Sequence, residues 1–187
     1  MHAMQLSAPG GLDQLYLSEM TPRAPDHGEI QVEVKATSLN FHDYAVVTGM
    51  IPAADGRIPM SDGAGVVTAI GEGVTDYAVG DRVLSYFFPK WPSGRPTLPH
   101  LLGVPGDHTD GFAAQSVTMP ASAFSRMPAN LDFSAAATLT CAGLTAWRAL
   151  VVETDLKPGD WVLVEGSGGV SVAALQFARM MGCRVIA

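Results

Sequence analysis

The sequence predicts an α/β fold with a β-barrel part: short antiparallel strands over residues 1–130, then the opening of a parallel sheet over residues 131–187. Three observations predict it. Glycine and proline are abundant, 20 and 13 of 187 residues, which suits many short strands joined by turns. Alternation with period two appears early in the chain. From Trp161 onward a strand, a glycine turn, an apolar helix and a second strand follow one another, the pattern of a βαβ unit.

The elements read in order as follows. Glu29 to Ala36 alternates strictly, with Ile30, Val32, Val34 and Ala36 on one side and Glu29, Gln31, Glu33 and Lys35 on the other, a half-buried strand. Gly65 to Ile70, Asp81 to Tyr86 and Phe112 to Met119 read as three more, each bounded by glycine. Between Phe87 and Gly111 lies a proline-rich stretch with no period, long enough to be functional in its own right. Ser134 is placed to cap a helix over Ala135 to Leu139, and Leu144, Trp147, Leu150 and Val151 recur as an amphipathic helix. Trp161 to Glu165 is apolar up to its end, as a strand buried on both faces is. Val170 to Met181 is apolar nearly all round and Gly182 follows it as a cap; Cys183 to Ala187 opens another strand.

Composition narrows the function. Hydrophobic residues make up 48% and charged residues 16%, enough for a buried core and unlike a disordered chain. The formal charge of −7 argues against a nucleic-acid backbone as partner, since that contact needs clustered Lys and Arg. Two cysteines, Cys141 and Cys183, build no disulfide framework. Met1 to Leu12 carries no secretory pattern, and Val170 to Ala187 is interrupted by Gln176, Arg179 and Arg184, so no membrane partner is expected. The expectation is a cytoplasmic protein.

The glycine turn carries the most specific chemistry. Gly166-Ser167-Gly168-Gly169-Val170-Ser171 is nearly the dinucleotide fingerprint. The first glycine permits the tight turn, the second lets backbone approach a diphosphate, and the helix N-terminus offers free N–H groups and partial positive charge. The third position is Ser171 rather than glycine or alanine, small enough for close packing. A ribose-reading residue is expected about 20 residues past the glycines, near residue 188, so the chain reads as cut within its second domain.

Several motifs together resemble the medium-chain dehydrogenase/reductase superfamily, and within it the zinc-independent, quinone-oxidoreductase-like and alcohol-dehydrogenase-like branch. They are Ser38-Leu-Asn-Phe-His-Asp43, Pro59-Met-Ser-Asp-Gly-Ala-Gly65, Gly71-Glu-Gly-Val74, Val79-Gly-Asp-Arg-Val83, Asp110-Gly-Phe-Ala113, Ala137 to Trp147 and Lys157-Pro-Gly-Asp160 with the glycine turn. The resemblance implies a GroES-like catalytic barrel, residues 1–130, followed by linking helices and the first βαβ of a Rossmann domain, residues 131–187. It also implies members about twice this long.

Zinc members hold their catalytic metal with a cysteine, a His-Glu pair and a second cysteine. Here those positions read Asn40, Ser61-Asp62 and Cys141, a poor set for a site needing three protein ligands. The resemblance therefore implies no zinc and no other metal. His100, Asp107, His108 and Asp110 read as solvated loop residues, and His42 as a loop residue.

The resemblance implies NADP(H), favoured over NAD(H) by family habit, held by Asn40, Cys141, Thr145, Gly166, Ser167, Gly168, Gly169 and Val170. Without a Lewis acid, quinones and α,β-unsaturated carbonyls are the easier substrates, because developing charge delocalises onto an oxygen that needs only hydrogen-bond donors. Asn40 is the candidate donor, Asp62 a candidate to orient water, and Tyr44 a candidate proton source. Asp43 reads as a helix cap. The expected function is NAD(P)H-dependent, zinc-free reduction of quinones or α,β-unsaturated carbonyls by hydride transfer. Two alternatives stand beside it: a zinc-free alcohol dehydrogenase, and an inactive truncated fragment or interaction module. The 187-residue chain alone is expected to turn over weakly or not at all, and the assembly implied is a homodimer.

Overall fold

The computed structural model describes residues 1–187. The chain divides into two compact units, Met1–Ala137 and Thr138–Ala187.

In the first unit, β1 (His2–Leu6) and β2 (Leu15–Glu19) form an antiparallel pair. A second sheet contains β3 (Glu29–Ser38), β4 (Asp62–Ile70), β5 (Arg82–Ser85), β6 (Ser116–Pro120) and β7 (Phe124–Arg126), in the order β6-β3-β4-β5-β7. All its pairings are antiparallel. The pair joins the sheet's surroundings through Met4 N–H donating to the Ala113 carbonyl at 2.8 Å. Helix α1 (Phe41–Val47) leaves β3 through Asn40, and α2 (Phe133–Ala137) closes the unit.

The alternation of β3 is realised. Ile30 and Val32 are buried and Glu33 and Lys35 exposed. Two register shifts against β4 bend the strand. Ile30, Val32, Val67, Val83, Phe112 and Phe124 form the main core. Ala136 and Ala137 of α2 pack with Ala64, Leu84 and Met127, so the break between units falls after this helix.

In the second unit, α3 (Leu144–Trp147) is flanked by wider π-helical turns at Leu139–Gly143 and Arg148–Val152. Then β8 (Trp161–Leu163), α4 (Gly169–Met180) and β9 (Arg184–Ile186) follow. β8 and β9 pair in parallel, so strand, glycine turn, helix and strand form the βαβ unit read in the sequence.

The structure differs from the sequence reading in several elements. The reading missed β1, β2 and β7. It began β4 at Gly65, whereas Asp62 and Gly63 already pair with Ser38 and Thr37. Phe112 is not in a strand: its N–H donates to the Met60 carbonyl at 2.8 Å within a loop, and the strand starts at Ser116. Asp132, not Ser134, caps α2, because its carboxylate accepts the Ala135 N–H at 2.7 Å. Finally, Trp161 and Leu163 are 64% and 66% exposed. Within residues 1–187 one face of the two-stranded sheet is therefore uncovered.

Candidate functional site

In the first unit the site residues gather where β3 ends, α1 begins and β4 starts. Asn40 is the N-cap of α1, in extended conformation. Its backbone N–H donates to Asp43 Oδ2 at 2.8 Å, half of a capping box that holds the first helical turn. The other carboxylate oxygen of Asp43, Oδ1, accepts the Ser61 N–H at 2.8 Å. Asp43 is 2% exposed, so this carboxylate both caps the helix and ties it to the entry of β4. Its reading as a helix cap agrees with the structure, and the tie to Ser61 is added to it.

The side chain of Asn40 is half-buried, and its Nδ2 donates to Ser61 Oγ at 3.3 Å. Ser61 and Asp62 are fully buried. Thr37 Oγ1 donates to the Asp62 carbonyl at 2.6 Å, and Gly63 N–H donates to Ser85 Oγ at 2.9 Å. Asn40, Asp43, Ser61 and Asp62 are therefore brought together. Tyr44 lies on α1, 49% exposed, with its ring tilted against Phe41; it is not a core tyrosine.

Backbone strain marks the same place. Met60 has φ of 81°, a left-handed conformation costly for any residue but glycine. A Cβ on Gly111 would stand 2.2 Å from the Met60 carbonyl oxygen, and one on Gly106 would stand 2.9 Å from the Met60 nitrogen. Both glycines are needed for the loop to run this close to the strained residue.

That loop holds what the sequence reading missed. His42 is in α1, not in a loop. Its Nε2 lies 3.2 Å from Asp107 Oδ2. The second oxygen of Asp107 takes the backbone N–H of His108 and meets that residue's Nδ1. Asp107 is 7% exposed, not solvated. Burial opposes its ionisation. The hydrogen bond from His42, the backbone N–H of His108 and the two ring charges outweigh that burial, and hold the carboxyl below its ordinary range.

The donor set does not fit a catalytic zinc. At this corner an amide donates to a hydroxyl at 3.3 Å, and neither is a thiolate or an imidazole of the kind a catalytic zinc takes. No group of three or more His, Cys, Asp or Glu side chains could hold a metal ion. A separate cavity of about 530 Å³, beside Arg23, Lys90 and Asp110, is lined by none of the predicted site residues.

In the second unit the glycine turn has the form its sequence implies. Gly166 has φ of 80°, which glycine alone adopts without strain, and Gly168 is the N-cap of α4. A Cβ on Gly166 or Gly168 would meet nothing within 4 Å, so the space over the turn is open. Gly166 through Val170 are exposed. Gly169 differs: its Cβ would come 3.2 Å from that of Ala142, where α4 meets the π-helical turn. Ser171 Oγ donates to the Glu165 carbonyl at 2.8 Å, tying the helix to the end of the strand. Cys141 is half-buried in the π-helical turn and Thr145 is exposed on α3. These residues fit a diphosphate at the N-terminus of a helix.

Comparison with known proteins gives concordant results. A family model, the alcohol dehydrogenase GroES-like domain, matches residues 26–129. The zinc-type alcohol dehydrogenase-like protein C1773.06c of Schizosaccharomyces pombe is 40% identical over 180 residues, 94% of this chain and 52% of that protein. A cobalt- and zinc-bound thermostable alcohol dehydrogenase from Pyrobaculum aerophilum is 32% identical with a TM-score of 0.86, covering 99% of this chain and 58% of that one. Escherichia coli quinone oxidoreductase complexed with NADPH is 26% identical with a TM-score of 0.79, covering 99% and 51%. The chain thus spans about half the length of these proteins.

Proposed function

Starting from the chain's membership of the alcohol dehydrogenase GroES-like domain family, in the medium-chain dehydrogenase/reductase superfamily, we propose that the protein carrying it is an NAD(P)H-dependent, zinc-free oxidoreductase that reduces quinones or α,β-unsaturated carbonyls. The observation that carries this reading is the Asn40–Ser61 contact. An amide and a hydroxyl, 3.3 Å apart, stand where a Lewis acid would have to be held. Hydrogen-bond donors suffice when the developing negative charge is delocalised.

The roles proposed for the chain's own residues follow. Asn40 Nδ2 holds the substrate oxygen or the carboxamide of the nicotinamide. Asp62, buried next to Ser61 in the chain, is the candidate to orient water, and Tyr44 remains a candidate proton source. Gly166, Ser167, Gly168, Gly169 and Val170 bind the diphosphate through backbone N–H groups, with Cys141 and Thr145 on the nicotinamide side. A bound reduced nicotinamide supplies the hydride. NADP(H) is proposed over NAD(H), in keeping with the NADPH complex of the quinone oxidoreductase relative.

The partners proposed are a small carbonyl or quinone and a second copy of the protein, in the cytoplasm. The acidic charge of −7 supports the absence of nucleic acid, and no helix is long and apolar enough to cross a membrane. The competing reading, oxidation of alcohols, draws on the names of two relatives. Steady-state assays of the full-length protein with NADPH and a quinone or enone, against NADP and alcohols, separate the two. Turnover of alcohols alone overturns the proposal.

A further inference from the structure

The ladder between β1 and β2 fixes which backbone groups of β2 are engaged. Met20 N–H donates to the Met1 carbonyl at 2.8 Å, and Ser7 N–H to the Gln14 carbonyl at 3.1 Å. These bonds flank a register that pairs Ala3 with Ser18 and Gln5 with Tyr16. Hydrogen-bonded pairs alternate along an antiparallel ladder, so Gln14, Tyr16, Ser18 and Met20 turn their backbone groups to β1. Leu15, Leu17 and Glu19 turn theirs outward. The other edge of β1 is occupied, through bonds with Arg57, Ala113 and Gln115, whereas β2 pairs with no strand but β1. Within residues 1–187 the outward N–H and C=O groups of Leu15, Leu17 and Glu19 meet no backbone partner.

This edge lacks the features that keep a strand single. Lone edges carry Lys, Pro or a bulge. Leu12 to Thr21 holds no Lys, Arg or Pro, and the register with β1 runs unbroken. Tyr16 and Leu17 are 43% and 65% exposed, so apolar side chains flank the open backbone groups.

The edge is complementary to itself. A twofold axis at Leu17 sets Leu17 against Leu17 of the second copy, Leu15 against Glu19 and Tyr16 against Ser18. Each outward-turned residue then faces another, and every such pair can exchange both its hydrogen bonds. The exposed Leu17 side chains cover one another. Glu19, the only charge of β2, faces a leucine. Moving the axis to Tyr16 sets Glu19 against Asp13, a like-charge pair within the helical turn Leu12–Gln14. Moving it to Ser18 sets Leu15 against Thr21, beyond the end of the strand.

We infer that the outer edge of β2 is a self-association surface, on which two copies join into a continuous sheet in the order β1-β2-β2-β1. The inference rests on the reading of a second copy as partner and locates the contact. Five residues a side is few beside the roughly 20–30 of a standard interface, so the pairing is reversible and grows with concentration.

Two measurements on the full-length protein test this. In the paired strands Tyr16 and Ser18 stand opposite at about 4.5 Å between Cα atoms, within disulfide reach. Tyr16 and its own counterpart stand diagonal, about 7–8 Å apart. Tyr16→Cys mixed with Ser18→Cys under mild oxidant is expected to cross-link at least about tenfold faster than either variant alone or the wild type. The second measurement is sedimentation. The mass of the wild type is expected to rise with concentration, and Leu17→Lys, which opposes two ammonium groups at the axis, is expected to lose that rise while melting like the wild type. A mixture that links no faster than its components, or a Leu17→Lys mass curve that matches the wild type, overturns the assignment. Should Leu17→Lys not fold, the cross-linking decides alone. Wild type that stays a monomer at every concentration refutes the second copy as partner and this surface with it. A wild-type assembly that Leu17→Lys leaves intact refutes the β2 edge alone.

Discussion

Asp43 Oδ1 accepts the backbone N–H of Ser61 at 2.8 Å across the junction of α1 and β4. With Oδ2 on the Asn40 N–H at 2.8 Å, one buried carboxylate sets the spacing between Ser61 and Asn40, the proposed donor to the substrate oxygen. Geometry at this corner therefore depends on a residue that touches no substrate.

Asp43→Ala removes the partner of two backbone N–H groups, one of them fully buried at Ser61. Leaving such donors unpaired costs about 2–4 kcal/mol. Urea denaturation is expected to show that loss, while Asp43→Asn, which keeps one acceptor, loses less.

Asn40→Ala removes the proposed donor from a half-buried position. Its backbone N–H still meets Asp43, so stability is expected to fall by less than about 1 kcal/mol. kcat/KM is expected to fall by about 10²-fold, the usual loss when one donor to a developing oxyanion is removed. Steady-state kinetics and thermal melts on the same samples check both halves.

Two glycines separate packing from binding. Gly168 has φ of −72°, and a Cβ there meets nothing within 4 Å. Gly168→Ala is therefore expected to melt like the wild type yet bind NADPH about tenfold more weakly, roughly 1.4 kcal/mol, because the methyl group stands where the diphosphate would lie. Gly111→Ala places its methyl 2.2 Å from the Met60 carbonyl oxygen and is expected to cost about 3 kcal/mol or more.

Asp107 supplies a pH dependence. Its folded carboxyl is held below the ordinary value by His42 and His108 despite burial. A depressed pKa contributes stability above the unfolded value, near 4, and loses it as pH falls through the folded value. Urea midpoints are expected to fall in this range as pH drops below about 4, and Asp107→Asn is expected to flatten that decline.

Sequence patterns exposed some of this and hid the rest, for physical reasons. The alternation of β3 and the strand–glycine–helix run at residues 161–180 are local patterns with one natural reading, and both appear in the structure. β4 reads short because Asp62 and Gly63 are poor strand formers, yet Gly63 and Gly65 are needed. Cβ atoms there would stand 2.2 Å from the Phe112 ring and from the Glu33 carbonyl oxygen. Phe112 was misplaced because a buried aromatic after a glycine looks the same in a loop as in a strand. Asp43 was legible as a cap from its place three residues after Asn40. Its tie to Ser61 and the pairing of His42 with Asp107 join residues far apart in the chain, and no local pattern encodes such contacts. The left-handed Met60 was equally silent, since nothing in Pro59-Met60-Ser61 announces strain.

The central claim is that donors, not a metal, handle the substrate's charge. Its most direct test is NADPH-dependent reduction of a quinone or enone by full-length protein stripped with a strong chelator, with metal content measured on the same sample. The account predicts undiminished turnover without bound zinc. Loss of turnover on stripping, restored by added zinc, would contradict it.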